Sequence, residues 1–257
     1  MKLLVSDLGT LPYAEALALQ RAVAKARISG AFDEDLLLLV EHPPVVTLGR
    51  SSKSQHLLAS PALLQARGVE LHEVERGGDV TFHGPGQLVG YPIVDLKRHK
   101  QDLHWFLRQV EESLIRAIEP LGIMAERRAG LTGVWTGGRK IASIGVHARD
   151  WVTWHGFALN VTTDLSYFDL MVPCGIAAVE MTSISGERRR MRGAANREWM
   201  TDEVAPPKSA VFDASDDNLA RLVRSRVAGA FADVFVLEAV PLDPSELERV
   251  AATTAVA

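Results

Sequence analysis

Two adjacent glycines, Gly137 and Gly138, are the feature of this sequence that most constrains its fold. Strand-like runs at 134–136 and 139–146 flank them, and paired glycines admit the positive φ angles that a two-residue hairpin turn needs at both positions. The sequence therefore predicts an antiparallel hairpin here. Because parallel strands are joined by long crossovers instead, this hairpin favours an α+β fold over a doubly wound parallel sheet.

The rest of the chain alternates short strands with a few helices. Apolar or alternating runs predict further strands at 36–41, 45–48, 69–74 and 152–161. Apolar residues at three- and four-residue spacing, bounded by Ser, Asp, Pro or Gly, predict helices at 13–28, 60–67, 102–118 and 219–231. This order of hairpins and meanders between few helices again indicates an α+β fold.

The segment 187–214 stands apart from this pattern. It is rich in Arg, Ala, Pro and Asp with little apolar periodicity, and we interpret it as a polar loop or partly ordered insert. The remaining residues suit one large core, because 47% of the 257 residues are hydrophobic. We therefore expect a single domain over 1–257.

The charge and hydropathy of the chain argue against several classes of protein. A net charge of -4 argues against general nucleic-acid binding. No run reaches the roughly 18 apolar residues of a membrane-spanning helix, and the first residues lack the apolar core of a secretory signal. The single cysteine permits no internal disulfide, as is usual in a reducing compartment. We expect a cytoplasmic protein with no nucleic-acid or membrane partner.

A glycine-rich segment at 76–87 is the first candidate binding element. Its four glycines let the backbone approach a ligand closely and offer N–H groups to an acyl oxygen, and Arg76, Asp79 and His83 lie among them. The segment lacks the Lys-Ser/Thr ending of a phosphate-binding P-loop and the spacing of a Rossmann fingerprint. From the residues alone, a binding loop and a plain turn remain equal alternatives.

Lys140 and Cys174 are the candidate reactive residues. Lys140 follows the hairpin turn on a mostly apolar strand, so it either faces the interior or a cleft, or is a solvated side chain. Cys174 lies between Pro173 and Gly175, which can hold a thiol at an accessible bend, although a lone cysteine is commonly a small buried apolar residue. A thiol is mostly protonated at neutral pH, and a nearby ammonium favours the reactive thiolate. The two residues could therefore form a catalytic dyad.

Two histidines are alternative bases for such a thiol. His83 lies in the glycine-rich segment, and His155 directly precedes Gly156. Histidine is the usual base at neutral pH, but we interpret each of these as a structural or substrate-contacting residue.

Together these segments resemble the lipoyl(octanoyl) transferases, members of the biotin and lipoate protein ligase superfamily. The resemblance is carried by the glycine-rich stretch 76–87, the lysine motif 140–145 and the cysteine motif 173–176, which Thr182 and Ser183 follow. The three motifs occur in the family's order. The similarity extends over roughly 3–186 and, more weakly, over the terminal helix.

The resemblance implies a biotin/lipoate protein ligase-like fold with mixed, largely antiparallel sheets flanked by helices. It implies a single octanoyltransferase catalytic domain that needs no ATP, cofactor or metal. The implied donor is octanoyl-acyl carrier protein, and the implied acceptors are lipoyl domains of 2-oxoacid dehydrogenase complexes and the glycine cleavage H protein. Cys174 would carry the octanoyl group as a thioester, and Lys140 would tune its thiol.

The resemblance also implies substrate contacts, which come from three segments of the chain. They are Arg76, Gly77, Gly78, Asp79, Val80, Thr81, Phe82, His83, Ser143, Ile144, Gly145, Gly156, Phe157 and Ala158. Two other functions are compatible with the sequence. One is an ATP-dependent lipoate or biotin ligase on the same fold, and the other is a catalytically silent module that binds an acyl group or a carrier protein.

Overall fold

The computed structural model describes residues 1–175, 179–199 and 216–252. The strands in these ranges are β1 (Lys2–Thr10), β2 (Asp35–Glu41), β3 (Val45–Leu48), β4 (Glu70–Glu73), β5 (Val80–His83), β6 (Gln87–Ile93), β7 (Glu126–Arg128), β8 (Leu131–Thr136), β9 (Arg139–Arg149), β10 (Val152–Asn160) and β11 (Glu238–Pro241). The helices are α1 (Tyr13–Ser29), α2 (Pro61–Ala66), α3 (Leu103–Ile118), α4 (Ile184–Trp199), α5 (Asp216–Phe235) and α6 (Pro244–Ala252). Among the described residues, no helix is both long and apolar enough to cross a membrane.

The described strands form two mixed sheets. One has eight strands in the order β11-β1-β2-β6-β10-β9-β8-β7, and the other has three in the order β4-β3-β5. β1 runs parallel to β2 and to β11, and β3 runs parallel to β4. The other paired neighbours are antiparallel. The prediction of mixed, largely antiparallel sheets is confirmed.

Strand β2 lies inside the large sheet, between layers of helices. Leu37 and Leu39 pack in one apolar cluster with α3 and α5, whereas Leu36, Leu38 and Val40 pack in another with α1 and α6. Because side chains alternate between the two faces of a strand, the unbroken apolar run of β2 fills both clusters at once. The large sheet is therefore the middle layer of three.

The hairpin predicted at Gly137 and Gly138 joins β8 to β9. The φ angles of these glycines are 51° and 83°, and Thr136 pairs with Arg139 across the turn. The predicted turn chemistry is confirmed, and it places Lys140 near the beginning of β9.

The glycine-rich segment connects the two sheets. It follows β4 and leads into β5 of the small sheet. Between these strands, the Gly77 N–H donates to the Val146 carbonyl oxygen of β9, in the large sheet, at 2.8 Å. Between two strands of the small sheet, the chain therefore makes a backbone contact with β9 of the large sheet.

Helix α4 covers part of the segment 187–214, which the sequence predicted as a polar loop or partly ordered insert. The chain is helical as far as Trp199, and 200–215 lie outside the described residues. Ser183 Oγ accepts a hydrogen bond from the Gly186 N–H at 3.1 Å, which is the arrangement of an N-cap. Arg, Ala, Glu and Met are good helix formers. Apolar periodicity reports one buried face, so it misses a helix whose described middle is largely exposed.

Candidate active site

A cavity of about 310 Å³ lies where the glycine-rich segment meets β9 and β10. This volume is at the lower end of the range for small-molecule sites. Most residues predicted to contact substrate or to react line it, namely Arg76, Gly78, Asp79, Val80, Thr81, His83, Lys140, Ser143, Ile144, Gly145, Gly156, Phe157 and Ala158. The structure thus brings three distant segments of the sequence to one cavity, while their contact with substrate stays a prediction.

Two predicted contact residues do not line the cavity. Gly77 instead packs its backbone against β9, and Phe82 lies in the core of the small sheet, where its ring stacks on Tyr167 with centroids 4.5 Å apart. Phe82 is on β5, where successive side chains point to opposite faces. Thr81 and His83 line the cavity, whereas the Phe82 ring packs in the core of the small sheet.

Other lining residues were not indicated by the sequence. They are Tyr13, Val89, Tyr91, Gly130, Leu131 and Thr132. They come from α1, β6, β8 and the turn before β8, which helix packing and strand pairing bring to the cavity. No local motif could have identified them.

Gly145 allows the glycine-rich segment to lie directly on β9. A Cβ at this position would come within 2.6 Å of the Gly77 carbonyl oxygen and 3.3 Å of Arg76 Cδ. These distances leave no room for a side chain. Part of the glycine content therefore serves backbone packing inside the protein, which the sequence analysis did not predict.

Arg76 links the same segment to the small sheet through hydrogen bonds to Thr47 of β3. One terminal nitrogen donates to Thr47 O at 2.7 Å and to Thr47 Oγ1 at 2.9 Å, and the other donates to Gly77 O at 3.1 Å. A guanidinium offers five donors in a fixed fork. Arg76 therefore holds the wall of the cavity in place while it also lines that cavity.

Lys140 is buried at the cavity, with 2% of its surface exposed. Its Nζ lies 5.4 Å from the ring centroid of Trp135, a position in which the aromatic face attracts an ammonium. Its backbone N–H donates to Glu180 O at 2.8 Å, and its carbonyl accepts from Thr182 N at 2.9 Å. Of the two alternatives that the sequence left for Lys140, the structure shows the side chain that faces the interior or a cleft.

The Lys140 side chain occupies space that is open because Gly133 has no side chain. Its φ is +133°, and a Cβ there would lie 2.7 Å from Lys140 Cε. Glu111 of α3, fully buried, accepts a hydrogen bond from the Gly133 N–H at 3.0 Å. The position of Lys140 thus depends on a glycine and a carboxylate that the sequence analysis did not single out.

The segment that carries Cys174 is hydrogen-bonded on both sides. Before it, Val172 N–H donates to His56 O at 2.8 Å. After it, Glu180 and Thr182 pair with Lys140 as described above. Pro173–Gly175 forms a one-turn 3-10 helix, but the Cys174 side chain and Ile176 lie outside the described residues. The Cys174–Lys140 dyad therefore stays a prediction.

His56 and Asp79 form a polar pair beside this turn. His56 Nδ1 lies 2.6 Å from Asp79 Oδ2, and Asp79 Oδ1 accepts from Val80 N at 2.7 Å. A Cβ at Gly175 would lie 2.3 Å from Asp79 Oδ2 and 3.0 Å from His56 Nδ1 and Cε1. The main chain at Gly175 therefore packs against the His56–Asp79 pair. His56 lies in a short 3-10 helix with no recognisable motif, so the sequence did not indicate it.

The two histidines considered from the sequence are kept neutral by burial. Burial lowers the pKa of His83 to about 3, and it lowers the pKa of His155 to about 4. His83 Nδ1 also lies 2.9 Å from Gln87 Oε1. Protonating either ring places a charge in a poorly solvated site, so neither is a ready proton acceptor.

Known proteins resemble this chain over most of its length. The sequence model of one family, described as the lipoyl protein ligase A/B catalytic domain, matches residues 12–205. The octanoyltransferase of Acidobacterium capsulatum is 54% identical over 200 residues, which cover 73% of this chain and 81% of that protein. The octanoyltransferase of Synechococcus elongatus is 41% identical over 249 residues, which cover 97% of this chain and 94% of that protein.

The fold also matches solved structures. A bi-partite lipoate protein ligase from Thermoplasma acidophilum superimposes with a TM-score of 0.67 at 19% identity, covering 98% of this chain and 91% of that one. This likeness confirms the predicted fold class. The chain belongs to the lipoyl protein ligase A/B catalytic domain family and, within it, to the octanoyltransferases.

Proposed function

We propose that this chain transfers octanoyl from octanoyl-acyl carrier protein to a lysine of a lipoyl domain, without ATP. The observation that carries the proposal is the buried Lys140 at the cavity, hydrogen-bonded to the strand-like segment that follows Cys174. In a chain of the octanoyltransferase family, this arrangement suits a thiol nucleophile with an ammonium beside it. The expected acceptors are the lipoyl domains of 2-oxoacid dehydrogenase complexes and the glycine cleavage H protein.

The first step is an exchange of thioesters. The Cys174 thiolate attacks the octanoyl carbonyl, the new C–S bond forms, and the carrier leaves as its thiolate. The ammonium of Lys140 favours the charged form of the cysteine, which raises the fraction of nucleophile at neutral pH. Little free energy separates one thioester from another, so the step depends mainly on positioning.

The cavity holds the octanoyl chain while the carrier leaves. Apolar side chains supply part of the lining, among them Val80, Val89, Ile144 and Phe157. Burying a methylene is worth about 0.8 kcal/mol, so the seven carbons beyond the carbonyl contribute roughly 6 kcal/mol before the costs of binding. Cavity length is then the property that selects the acyl chain.

The second step forms an amide. The acceptor lysine amine attacks the acyl-enzyme, and the tetrahedral oxyanion needs N–H donors. The Gly77 N–H already donates a hydrogen bond to Val146 O, and the Gly175 N–H donates one to Val172 O. Among the backbone donors of these two segments, the N–H groups of Gly78 and Cys174 are the better candidates for the oxyanion hole.

A transfer assay tests the proposed function. The chain is mixed with octanoyl-acyl carrier protein and a lipoyl domain, with ATP removed, and the mass of the lipoyl domain is followed. We expect one octanoyl addition, absent when the acceptor lysine is replaced by arginine. Transfer that requires ATP and free octanoate would indicate a ligase instead, and binding of the carrier without any transfer would indicate a silent binding module.

A further inference from the structure

A carboxylate-oriented imidazole lies beside the turn that carries Cys174. The Asp79 carboxylate lies 2.6 Å from His56 Nδ1 and can only accept a hydrogen bond while ionised, so the Nδ1 of His56 carries the proton. In the neutral ring, Nε2 is then the atom with the free lone pair. A carboxylate that fixes the tautomer of a histidine in this way is one component of the Ser-His-Asp type of catalytic site.

The ring edge of His56 faces the cysteine turn. Its Nδ1 and Cε1 atoms would both lie 3.0 Å from a Cβ on Gly175, and Nε2 is bonded to Cε1. The same turn is tied to His56 through the hydrogen bond from Val172 N to His56 O. The Nδ1–Cε1 edge of His56 therefore lies against the main chain of the residue that follows the nucleophile, and Nε2 is one bond farther round the ring.

His56 differs from the two histidines inside the cavity. Its side chain keeps 14% exposure and has the Asp79 carboxylate at hydrogen-bonding distance. His83 and His155 are more deeply buried, with 6% and 1% of their surface exposed. The nearest carboxylate oxygen to His155, on Glu75, is 3.7 Å away. A carboxylate partner stabilises the imidazolium that forms when a ring accepts a proton.

We propose that His56, oriented by Asp79, carries the proton that is released when the acceptor lysine attacks the acyl-enzyme. This assignment rests on the proposed function and adds a residue to the Cys174–Lys140 pair. Asp79, predicted from the sequence as a substrate contact, acts here as the positioning residue of His56.

The proton movement balances over one cycle. The neutral acceptor amine attacks the thioester carbon, the N–C bond forms, and His56 Nε2 takes the surplus proton from the nitrogen. The C–S bond then breaks, and Cys174 leaves as a thiolate. In the next acylation the His56 imidazolium gives its proton to the departing thiolate of the carrier. The sum is octanoyl thioester plus amine giving amide plus thiol.

The experiment separates acylation from discharge. The full chain and its His56→Gln and Asp79→Asn variants are charged with octanoyl-acyl carrier protein to completion and freed of carrier. A lipoyl domain is then added, and the loss of the octanoyl mass is followed in time. His72→Gln is the matched control, because His72 Nε2 pairs with Glu70 Oε2 at 2.9 Å on the exposed side of the small sheet.

General acid–base catalysis contributes about 10²-fold or more, so discharge by the lipoyl domain should slow by about 10²-fold in His56→Gln and also fall in Asp79→Asn. It should be unchanged in His72→Gln. Discharge by hydroxylamine, which needs no protein base, should keep its rate in every variant. Damage to the fold would slow discharge by both nucleophiles, whereas loss of the base slows discharge by the lipoyl domain alone.

Three results would overturn the proposal, and a fourth would refute the proposed function on which it rests. Discharge of His56→Gln by the lipoyl domain at the unmodified rate would remove His56 from the reaction. Equal slowing with hydroxylamine, or failure of the variant alone to become acylated, would assign His56 to placement of the cysteine turn. Absence of acylation in the unmodified chain would instead refute the proposed function itself.

Discussion

Replacing Gly133 with alanine measures how closely the reaction depends on the placement of Lys140. The added Cβ would lie 2.7 Å from Lys140 Cε and 2.7 Å from Ala142 O. Non-bonded carbons rest about 3.5–4.0 Å apart, so the Lys140 side chain must retreat by about 1 Å. A misplacement of about 1 Å at a reacting group costs about 10²-fold in rate.

Gly133→Ala also strains the backbone. A residue other than glycine at its φ of +133° costs about 1–3 kcal/mol. For a chain of this size that corresponds to a fall of about 2–12 °C in Tm. The control is Gly30→Ala, whose φ of +75° carries backbone strain but whose Cβ would meet no atom within 4 Å.

The assay is the single-turnover rate of octanoyl addition, measured beside thermal unfolding for both variants. We expect both variants to lose stability and Gly133→Ala alone to lose about 10²-fold in rate. A folded Gly133→Ala protein that acylates at the unmodified rate would refute the link between Gly133, Lys140 and the chemistry.

Three further predictions concern single residues. Lys140→Ala should slow alkylation of Cys174 and shift its pH profile upwards, because the thiolate loses its cation; an unchanged alkylation profile would remove the dyad. Ser183→Ala should lower the free energy of unfolding by about 1 kcal/mol in denaturant titration, since it removes the N-cap of α4; no change would show that α4 does not depend on this cap. The pKa of His83 is lowered to about 3, below the ordinary value of about 6.5 in the unfolded chain, so the unfolded state binds the proton first. The stability that the neutral His83 ring contributes is therefore fully present above about pH 6.5. It is lost as the pH falls towards the pKa of His83 in the folded protein. His83→Gln should flatten that slope in unfolding experiments between these pH values, and an unaltered slope would contradict the burial argument.

The sequence predicted those parts of the fold that depend on local patterns. Paired glycines defined the hairpin before Lys140, and the unbroken apolar run of β2 matched a strand buried on both faces. Helix α4 was misjudged because its residues favour helix formation without one apolar face. Chain-terminal strands β1 and β11 were not predicted, since their parallel pairing joins opposite ends of the chain.

The site was predictable only where residues form a motif. Lys140 and the glycine-rich segment belong to motifs, and the structure brings them to one cavity. His56 and Gly133 contact partners distant in sequence, Asp79 and Glu111 respectively. Nothing in the local sequence indicates such contacts, because they arise from tertiary packing: of the 3-10 helix at His56 on the glycine-rich segment, and of α3 on β8.

The intact mass of the chain after mixing with octanoyl-acyl carrier protein, without ATP or acceptor, tests the covalent mechanism. A matched sample of Cys174→Ala is measured at the same time. We predict a single octanoyl addition to the unmodified chain, none to the variant, and loss of the addition when a lipoyl domain is supplied. An addition that persists in Cys174→Ala, or its absence from the folded unmodified chain, would contradict transfer through a Cys174 thioester.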